Sequence, residues 1–410
     1  MTQLLEMTTI TTDADTEIRI VLFDLGIRLY TPHREFILSE IFKDKRYSLR
    51  VNLSKILHQN IEQEIKGIIE GFRPSIALID PWTIFPCKRD VAFQTANLIT
   101  DTDFNLKSQL IFNTLLKDNK TLKIILGSWM DPHSFSNEDA ILLDQLLSRK
   151  DFYLWGIREN DFVEYNQSPL EAAKSTRPHT RYFRDRILNT EKKSKIIPYL
   201  HSIPRDFYHK ALKFKDWEDF EFNFHVPGSL SSYPNRQAVR KIIMETSSSE
   251  YKTLVSLNQT LRTNFSKLKS PFLLDAINYT YYDLIKKSSV NFVDGGRMQY
   301  VTMKYLEVPM CGSLILSPKT TSLEKYGFVS NTHYVEYNAA PEFFFLNNQS
   351  KSEWNEIREN AHKLILEKHS TDRRIKQLMF MFKYILKYEN HNKFTYDNGN
   401  LVNSEKQVID

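Results

Sequence analysis

The sequence predicts an α/β fold with two domains and mostly parallel sheets, and three observations support this prediction. The chain has 410 residues, more than one ordinary hydrophobic core accommodates. Short apolar runs alternate with amphipathic helical patterns along its length, which is typical of parallel sheets covered by helices. Glycine occurs only 11 times, so each one is expected where the backbone requires it.

The predicted strands are the short β-branched or aromatic runs, and the predicted helices lie between them. The strands are Ile18–Phe23, Ser75–Ile79, Leu122–Leu126 and Phe152–Trp155 in the first half, then Phe222–Val226, Thr253–Ser256, Val290–Val293 and Ser313–Leu316 in the second. The helices include His33–Phe42, Ile56–Ile69, Asn137–Leu147, Arg236–Met244 and Leu273–Lys286.

Turn residues directly follow many of these strands. They are Gly26, Asp80-Pro81, Gly127, Gly156, Gly228 and Gly295-Gly296. A turn alone explains any single glycine, but ligands of open α/β sheets bind outside the carboxyl ends of the strands. The recurrence in both halves therefore favours two nucleotide-binding-like domains that face a shared cleft.

The domain organisation follows from the same pattern. We predict a first domain over residues 1–210 and a second over 211–385, joined by the charged and aromatic stretch Lys210–Glu221. The second domain ends in two long helices, Trp354–His369 and Asp372–Tyr388. Residues 386–410 are assigned to a polar tail, which is predicted to be frayed from Glu389.

Composition excludes several classes of protein. Hydrophobic residues make up 41% and charged residues 26%, and the net charge of +5 does not indicate a nucleic-acid partner. Cys87 and Cys311 are too few for a disulfide framework or a cysteine-built metal site. The start of the chain is polar and no long apolar stretch occurs, so we expect a cytoplasmic protein. Asp101-Thr102-Asp103 has the Asp-x-Asp pattern of some metal sites, but a solvated loop is the preferred interpretation.

Candidate ligand-binding residues are most concentrated between residues 291 and 338. Gly295-Gly296 ends a predicted strand and opens a helical stretch, so backbone N–H groups can approach a phosphate there. Arg297 can add a charge-assisted hydrogen bond to the same anion. Glu307, near the end of that stretch, can accept two hydroxyl hydrogen bonds from the vicinal diol of a ribose. The alternative is a solvent-facing Glu307 that pairs with Lys304 at i, i+3 spacing.

Here the chain resembles a known family. MKYLEVPMCGSLILSP followed by LEKYGFVSNTHYVEY is similar to the donor-side signature of GT-B glycosyltransferases, in the group-1 branch that includes the CgeB-like proteins. The matching elements are Lys304, Tyr305, Glu307, Gly312, Leu314–Leu316, Gly327-Phe328 and His333–Tyr337. Upstream, Gly228, Tyr233, Pro234 and Arg236 resemble the family's "G…YP.R" loop, and downstream His369, Thr371 and Arg374 resemble its "HT..R" helix start. The resemblance covers about residues 195–380 well.

The resemblance implies two Rossmann-like domains facing a cleft, with the C-terminal helices packing back toward the first domain. It implies a hexosyl- or pentosyltransferase that uses a nucleotide-diphosphate sugar as co-substrate, with no metal and no further cofactor. The resemblance and the glycine pair together give the candidate donor-binding residues Gly228, Tyr233, Arg236, Gly295, Gly296, Arg297, Lys304 and Glu307. Glu307 would hold the ribose, and the Gly228 loop with Arg236 would face the diphosphate.

The acceptor side is less defined. An inverting transferase needs a base near the acceptor hydroxyl, and the candidates are Asp131, His133 and His201. Each has a structural alternative, such as a helix cap for Asp131 or a turn for His201. Retaining relatives often carry a second glutamate where this chain has Gln299, so the stereochemical outcome stays open.

The expected acceptor is a glycan, a lipid-linked molecule or a protein. The basic and aromatic stretch Arg177–Arg186 is interpreted first as an exposed loop and second as a contact for an anionic acceptor. The second interpretation allows a peripheral contact at the inner face of the membrane. No contact with nucleic acid is expected.

Two other functions remain open at this stage. One is a catalytically altered binding or scaffold protein, which is suggested by Gln299 in place of a glutamate. A sugar-nucleotide epimerase of the same fold is the other, because it also presents a cleft to a sugar nucleotide.

Overall fold

A computed structural model of the chain describes most of its length. The described residues are 17–25, 32–85, 102–127, 137–156, 184–203, 214, 216–228, 234–268, 271–295, 301–320, 323–336, 351–388, 394–403 and 407–409.

The first half forms a six-stranded sheet in the order β2–β1–β3–β4–β5–β6, and every neighbouring pair is parallel. The strands are β1 (Ile20–Asp24), β2 (Ser48–Asn52), β3 (Ile76–Ile79), β4 (Leu122–Leu126), β5 (Phe152–Gly156) and β6 (Ile196–Pro198). The helices are α1 (Pro32–Ile41), α2 (His58–Phe72), α3 (Pro81–Ile84), α4 (Thr102–Lys117) and α5 (Asn137–Leu147). β1 and β3 are buried along their whole length, which explains the continuous apolar runs Ile20–Phe23 and Ile76–Ile79.

All four strands predicted in the first half are confirmed, and two others were missed. β2 has the sequence SLRVN and is mostly half-buried, so it lacks the apolar run of a central strand. β6 has only three residues. The solvated loop predicted at Asp101–Asp103 is wrong for Thr102 and Asp103, which begin α4; Asp101 lies outside the described residues.

The second half forms a four-stranded parallel sheet in the order β10–β9–β8–β7. Its strands are β7 (Phe222–His225), β8 (Ser288–Phe292), β9 (Leu314–Ser317) and β10 (Val335–Glu336). Its helices are α6 (Pro234–Thr246), α7 (Ser249–Leu268), α8 (Pro271–Lys287), α9 (Lys304–Met310), α10 (Lys351–Lys368) and α11 (Thr371–Tyr388). The predicted α/β class with parallel sheets is therefore confirmed.

One predicted strand of the second half is wrong. Thr253–Ser256 lies inside α7, because a short apolar run does not by itself distinguish a strand from a buried helical segment. The buried residues of this helix include Tyr251, Val255 and Asn258, which recur at the spacing of one helical face. As a result α7 packs against α8 in this region, and β7 is an edge strand.

The C-terminal helices pack back against the first half, as expected. α11 contacts α1, and backbone hydrogen bonds join the two halves directly. The Ile203 N–H donates to the His369 carbonyl at 2.9 Å, and the Thr371 N–H donates to the Ile203 carbonyl at 3.0 Å. A single hydrophobic cluster contains residues of the first sheet, of α9 and of α11.

The predicted frayed tail is wrong for the described residues beyond 393. They form a small antiparallel sheet of β11 (Thr395–Asp397), β12 (Asn400–Val402) and β13 (Val408–Ile409). Tyr396 and Leu401 of this sheet join the main hydrophobic cluster, and the Arg374 guanidinium lies 4.7 Å from the Tyr396 ring centroid. The boundaries proposed at residues 210 and 385 stay predictions.

The packing of α11 is testable through Phe382, which is fully buried in the cluster shared by both halves. We expect Phe382→Ala to lower the free energy of unfolding by about 3–5 kcal/mol, because it removes apolar contacts and leaves a cavity. Chemical denaturation measures this change. The matched control is Phe272→Ala on α8, where the ring is 77% exposed; a similar loss in both variants would contradict the assigned core.

Candidate functional site

The loop after β7 and the start of α9 meet at Gly228 and Lys304. Gly228 has φ +91°, a conformation that glycine adopts without steric penalty. A Cβ atom at this position would lie 2.2 Å from Lys304 Cε and 2.9 Å from Lys304 Nζ. The Lys304 side chain therefore occupies the space that the missing Cβ leaves open, directly at the carboxyl end of β7.

Lys304 is a half-buried cation with other charged groups around it. Among the described residues, no carboxylate forms an ion pair with its ammonium group and no acceptor forms a hydrogen bond with it. Burial and the neighbouring Arg236 charge lower the pKa of Lys304 to about 8, with Glu307 opposing the change. The site therefore holds an ammonium group whose charge is incompletely balanced, which favours an anionic ligand.

Arg236 and Asp294 form a buried ion pair between α6 and the segment after β8. Arg236 is fully buried, and its Nε lies 2.5 Å from Asp294 Oδ1. Arg236 Nη2 also donates to the Asp294 carbonyl at 2.8 Å. The guanidinium of Arg236 lies close behind Gly228, since a Cβ on Gly228 would be 3.6 Å from Arg236 Nη1. The ion pair with Asp294 keeps it there. The predicted contact of Arg236 with a diphosphate stays a prediction, and in this structure its side chain binds Asp294.

Glu307 is buried at 3% exposure, so the solvent-facing alternative for this residue is wrong. The Tyr281 hydroxyl donates to Glu307 Oε2 at 2.6 Å, and the Tyr282 hydroxyl donates to Glu307 Oε1 at 3.0 Å. Burial and the Glu307 charge raise the pKa of Tyr281 well above its usual value, so it remains a hydrogen-bond donor. The two tyrosines fix the plane of the carboxylate on α9.

Several predicted site residues lie outside the described part of the chain. They are Tyr233, Gly296 and Arg297 on the donor side, and Asp131 and His133 on the acceptor side. Gln299 and most of the stretch Arg177–Arg186 also lie outside it. Their predicted roles stay predictions. Gly295 is described, and it is buried directly after Asp294.

His201 lies at the contact between the two halves of the chain. Its backbone N–H donates to the Tyr326 hydroxyl at 3.2 Å, and its Nδ1 lies 3.2 Å from the Tyr199 hydroxyl. The Tyr199 hydroxyl therefore orients the half-buried ring. The role of His201 as a base stays a prediction.

The "HT..R" residues have structural roles in this fold. His369 Nε2 lies 2.7 Å from the Tyr326 carbonyl, and Arg374 Nη2 lies 2.8 Å from His369 Nδ1. Burial and the Arg374 charge lower the pKa of His369 well below its usual value, so the ring is neutral. The Ser370 hydroxyl accepts from the Arg373 N–H at 3.3 Å, which caps α11.

Sequence reasoning missed three residues of this site. Tyr281 and Tyr282 lie on α8 and reach Glu307 only through packing of α8 beside α9. Asp294 directly precedes Gly295-Gly296, the glycine pair at which the sequence predicts a phosphate contact. Its position next to that pair was a usable signal, whereas the adjacent tyrosines gave none.

Comparison with known proteins supports a sugar-transfer relationship for the second half. Residues 205–379 match the family model described as glycosyl transferase-like. This match spans less than half of the chain and contains Gly228, Arg236, Lys304 and Glu307. The resemblance to glycosyltransferases is thereby supported, while the CgeB-like branch stays a prediction. No curated protein matches the chain.

Solved structures with a related arrangement include a glycosyltransferase from Rickettsia africae ESF-5, which has 11% identity and a TM-score of 0.49. The match covers 91% of this chain and 100% of that one. HepE from Anabaena in complex with UDP and glucose has 9% identity and a TM-score of 0.48, covering 90% of this chain and 100% of that one. At TM-scores below 0.5, no residue role passes from these structures to this chain.

Two further observations concern only the described part of the chain. None of its helices is long and apolar enough to cross a membrane. It also brings together no group of three His, Cys, Asp or Glu side chains that could hold a metal ion.

The contact between Gly228 and Lys304 predicts that Gly228→Ala destabilises the protein by about 1–2 kcal/mol or more. Alanine disfavours the left-handed backbone of this position, and its methyl group would overlap the Lys304 side chain. Chemical denaturation checks this loss. Gly67→Ala is the control, because Gly67 lies in α2 and a Cβ added there would have nothing within 4 Å, so we expect a gain of up to about 1 kcal/mol. Equal stability of Gly228→Ala and the parent would contradict the site geometry.

Proposed function

We propose that the protein is a GT-B glycosyltransferase that binds a nucleotide-diphosphate sugar in its second half. It transfers the sugar to a glycan, a lipid-linked molecule or a protein without using a metal ion. The observation that carries this proposal is the incompletely balanced Lys304 ammonium, held against the Gly228 backbone and beside the buried Glu307 carboxylate.

The diphosphate of the donor would lie at Lys304. Gly228 presents a surface without a side chain at the carboxyl end of β7, where ligands of parallel α/β sheets bind. Arg262 contributes further positive potential, because its charge also lowers the pKa of Lys304. Two cations near one backbone surface fit a ligand with two adjacent phosphates.

The ribose would lie at Glu307. Each carboxylate oxygen accepts one tyrosine hydrogen bond, and a carboxylate oxygen has two lone-pair positions at which it can accept. Two acceptors in one fixed plane match the spacing of vicinal ribose hydroxyls. The match of this segment to the glycosyl transferase-like family supports the same assignment.

Sugar transfer breaks the bond between the anomeric carbon and the diphosphate oxygen, and the bonding electrons move to the diphosphate. Lys304 would stabilise that developing charge in a partly water-excluded site, where fixed charges act most strongly. The acceptor oxygen forms the new bond to the anomeric carbon, and its proton passes to a base. His201, Asp131 and His133 are the proposed candidates for that base.

Nucleotide binding tests this proposal. Calorimetric titration of the full chain with UDP, GDP and their sugar conjugates should identify a nucleotide that binds, and mass spectrometry should then detect a transfer product. An epimerised sugar nucleotide, or binding without any product, would support the alternative functions instead. No binding of any nucleotide would overturn the proposal.

Glu307→Gln should weaken binding of that nucleotide by about 10- to 100-fold, because the ribose hydroxyls lose a charged acceptor. Calorimetric titration of the folded variant measures the change. Glu250→Gln is the control, since it removes the same charge from an exposed position on α7. Equal losses in the two variants would remove Glu307 from the donor site.

The pKa of Lys304 predicts the pH dependence of nucleotide binding. The protonated ammonium binds the diphosphate, so affinity should be highest below pH 8 and fall as the pH rises through about 8. The expected slope approaches tenfold per pH unit above that value, until the pKa of the bound state is reached. In Lys304→Arg the guanidinium stays charged, so binding between pH 7 and 9.5 should lose most of this dependence. An unchanged pH profile in Lys304→Arg would assign the titration to another group.

A further inference from the structure

A cavity lies beside the Gly228 loop, and Lys304 is not among its lining residues. It has a volume of about 460 Å³ and lies between the end of β7 and helices α6, α7 and α8. This volume is within the range of small-molecule sites. We call it the Arg240 cavity, lined by Arg240, Arg262, His225, Asn258, Tyr281 and Gly228 among other residues.

Arg240 is the unusual member of this lining. It is only 9% exposed, and among the described residues it forms no hydrogen bond and no ion pair. Burial, followed by the nearby Arg262 charge, lowers the pKa of Arg240. A buried guanidinium without a partner is costly, and a bound oxyanion would remove that cost.

The remaining lining adds a second guanidinium and no negative charge. Arg262 lies with its guanidinium carbon 5.6 Å from the Tyr281 ring centroid, and both residues line the cavity. None of the described lining residues is Asp or Glu. Residues 229–233 and 296–300 contain no Asp or Glu, and the Asp294 carboxylate after β8 is paired with Arg236.

Neutral groups complete the cavity. Burial, together with the Arg240 and Arg262 charges, lowers the pKa of His225 to about 3, so this ring is neutral near pH 7. The Tyr251 hydroxyl lies 2.9 Å from His225 Nδ1, and Asn258 Nδ2 donates to Thr280 Oγ1 at 2.7 Å. Among the described lining residues, the positive charge of the cavity therefore comes from the two arginines.

We infer that the Arg240 cavity is an oxyanion site that binds a phosphate group through the guanidiniums of Arg240 and Arg262. Guanidinium groups bind phosphate oxygens with paired, charge-assisted hydrogen bonds, which suits two arginines facing one volume. The phosphate belongs either to the nucleotide at the neighbouring Lys304 site or to a second, phosphorylated ligand. Only the first of these sources rests on the proposed function.

Thermal unfolding and calorimetric titration of the full chain with inorganic phosphate and pyrophosphate test this inference. Sodium chloride at equal ionic strength separates specific binding from a salt effect. We expect Arg240→Gln to weaken phosphate binding by about tenfold or more, and Arg240→Lys to retain part of it. Without phosphate, Arg240→Gln should unfold at the same temperature as the parent or higher, because it removes a buried charge.

Lys241→Gln is the matched control, because it removes one positive charge from an exposed position on the same helix. Phosphate binding that survives Arg240→Gln, or that falls equally in Lys241→Gln, would overturn the inference. So would stabilisation by chloride equal to that by phosphate.

Titration with UDP then distinguishes the two sources. Competition between UDP and phosphate, with both weakened by Arg240→Gln, assigns the site to the nucleotide. UDP binding that is unchanged in Arg240→Gln and independent of phosphate assigns it to a second phosphorylated ligand. Arg240-dependent phosphate binding in a protein that binds no nucleotide would leave this inference standing while overturning the proposed function.

Discussion

The buried ion pair of Arg236 and Asp294 is the interaction on which the candidate site depends. It ties the first turn of α6 to the segment that follows β8, at the ends of two adjacent parallel strands. Removing one partner of such a pair leaves an uncompensated buried charge, which costs about 3–5 kcal/mol. Because Arg236 lies behind Gly228, the pair also sets the surface against which Lys304 packs.

Arg236 is paired with Asp294, and among the described residues three other cations lie at this end of the sheet. Lys304 lies over Gly228, while Arg262 and Arg240 line the neighbouring cavity. Burial lowers the pKa of both Lys304 and Arg240, and among the described residues neither side chain has an ion-pair partner. An imbalance of this kind is typical of sites in which a ligand completes the charge balance.

Helix α7 forms one wall of the Arg240 cavity, where the sequence predicted a strand. An apolar run at Thr253–Ser256 is compatible with a strand by composition, but its flanking residues Tyr251 and Asn258 are buried at helical spacing. For the C-terminal tail, the sequence predicted too little regular structure. Its polar composition predicted fraying, yet Tyr396 and Leu401 are buried against the main cluster. In both places the local sequence pattern did not predict the secondary structure correctly. Whether a residue is buried depends on which distant element packs against it.

The sequence by itself determined the α/β class, most strands of both sheets, and the positions of Gly228, Lys304 and Glu307 at strand ends and on a helix. These features follow from local periodicity and from turn residues, which a linear pattern records. Only the tertiary structure decided that Arg236 binds Asp294, that Tyr281 and Tyr282 orient Glu307, and that Arg240 faces a cavity. Each of these depends on a contact between residues far apart in the chain, whose partner is chosen by packing and by the burial of charge.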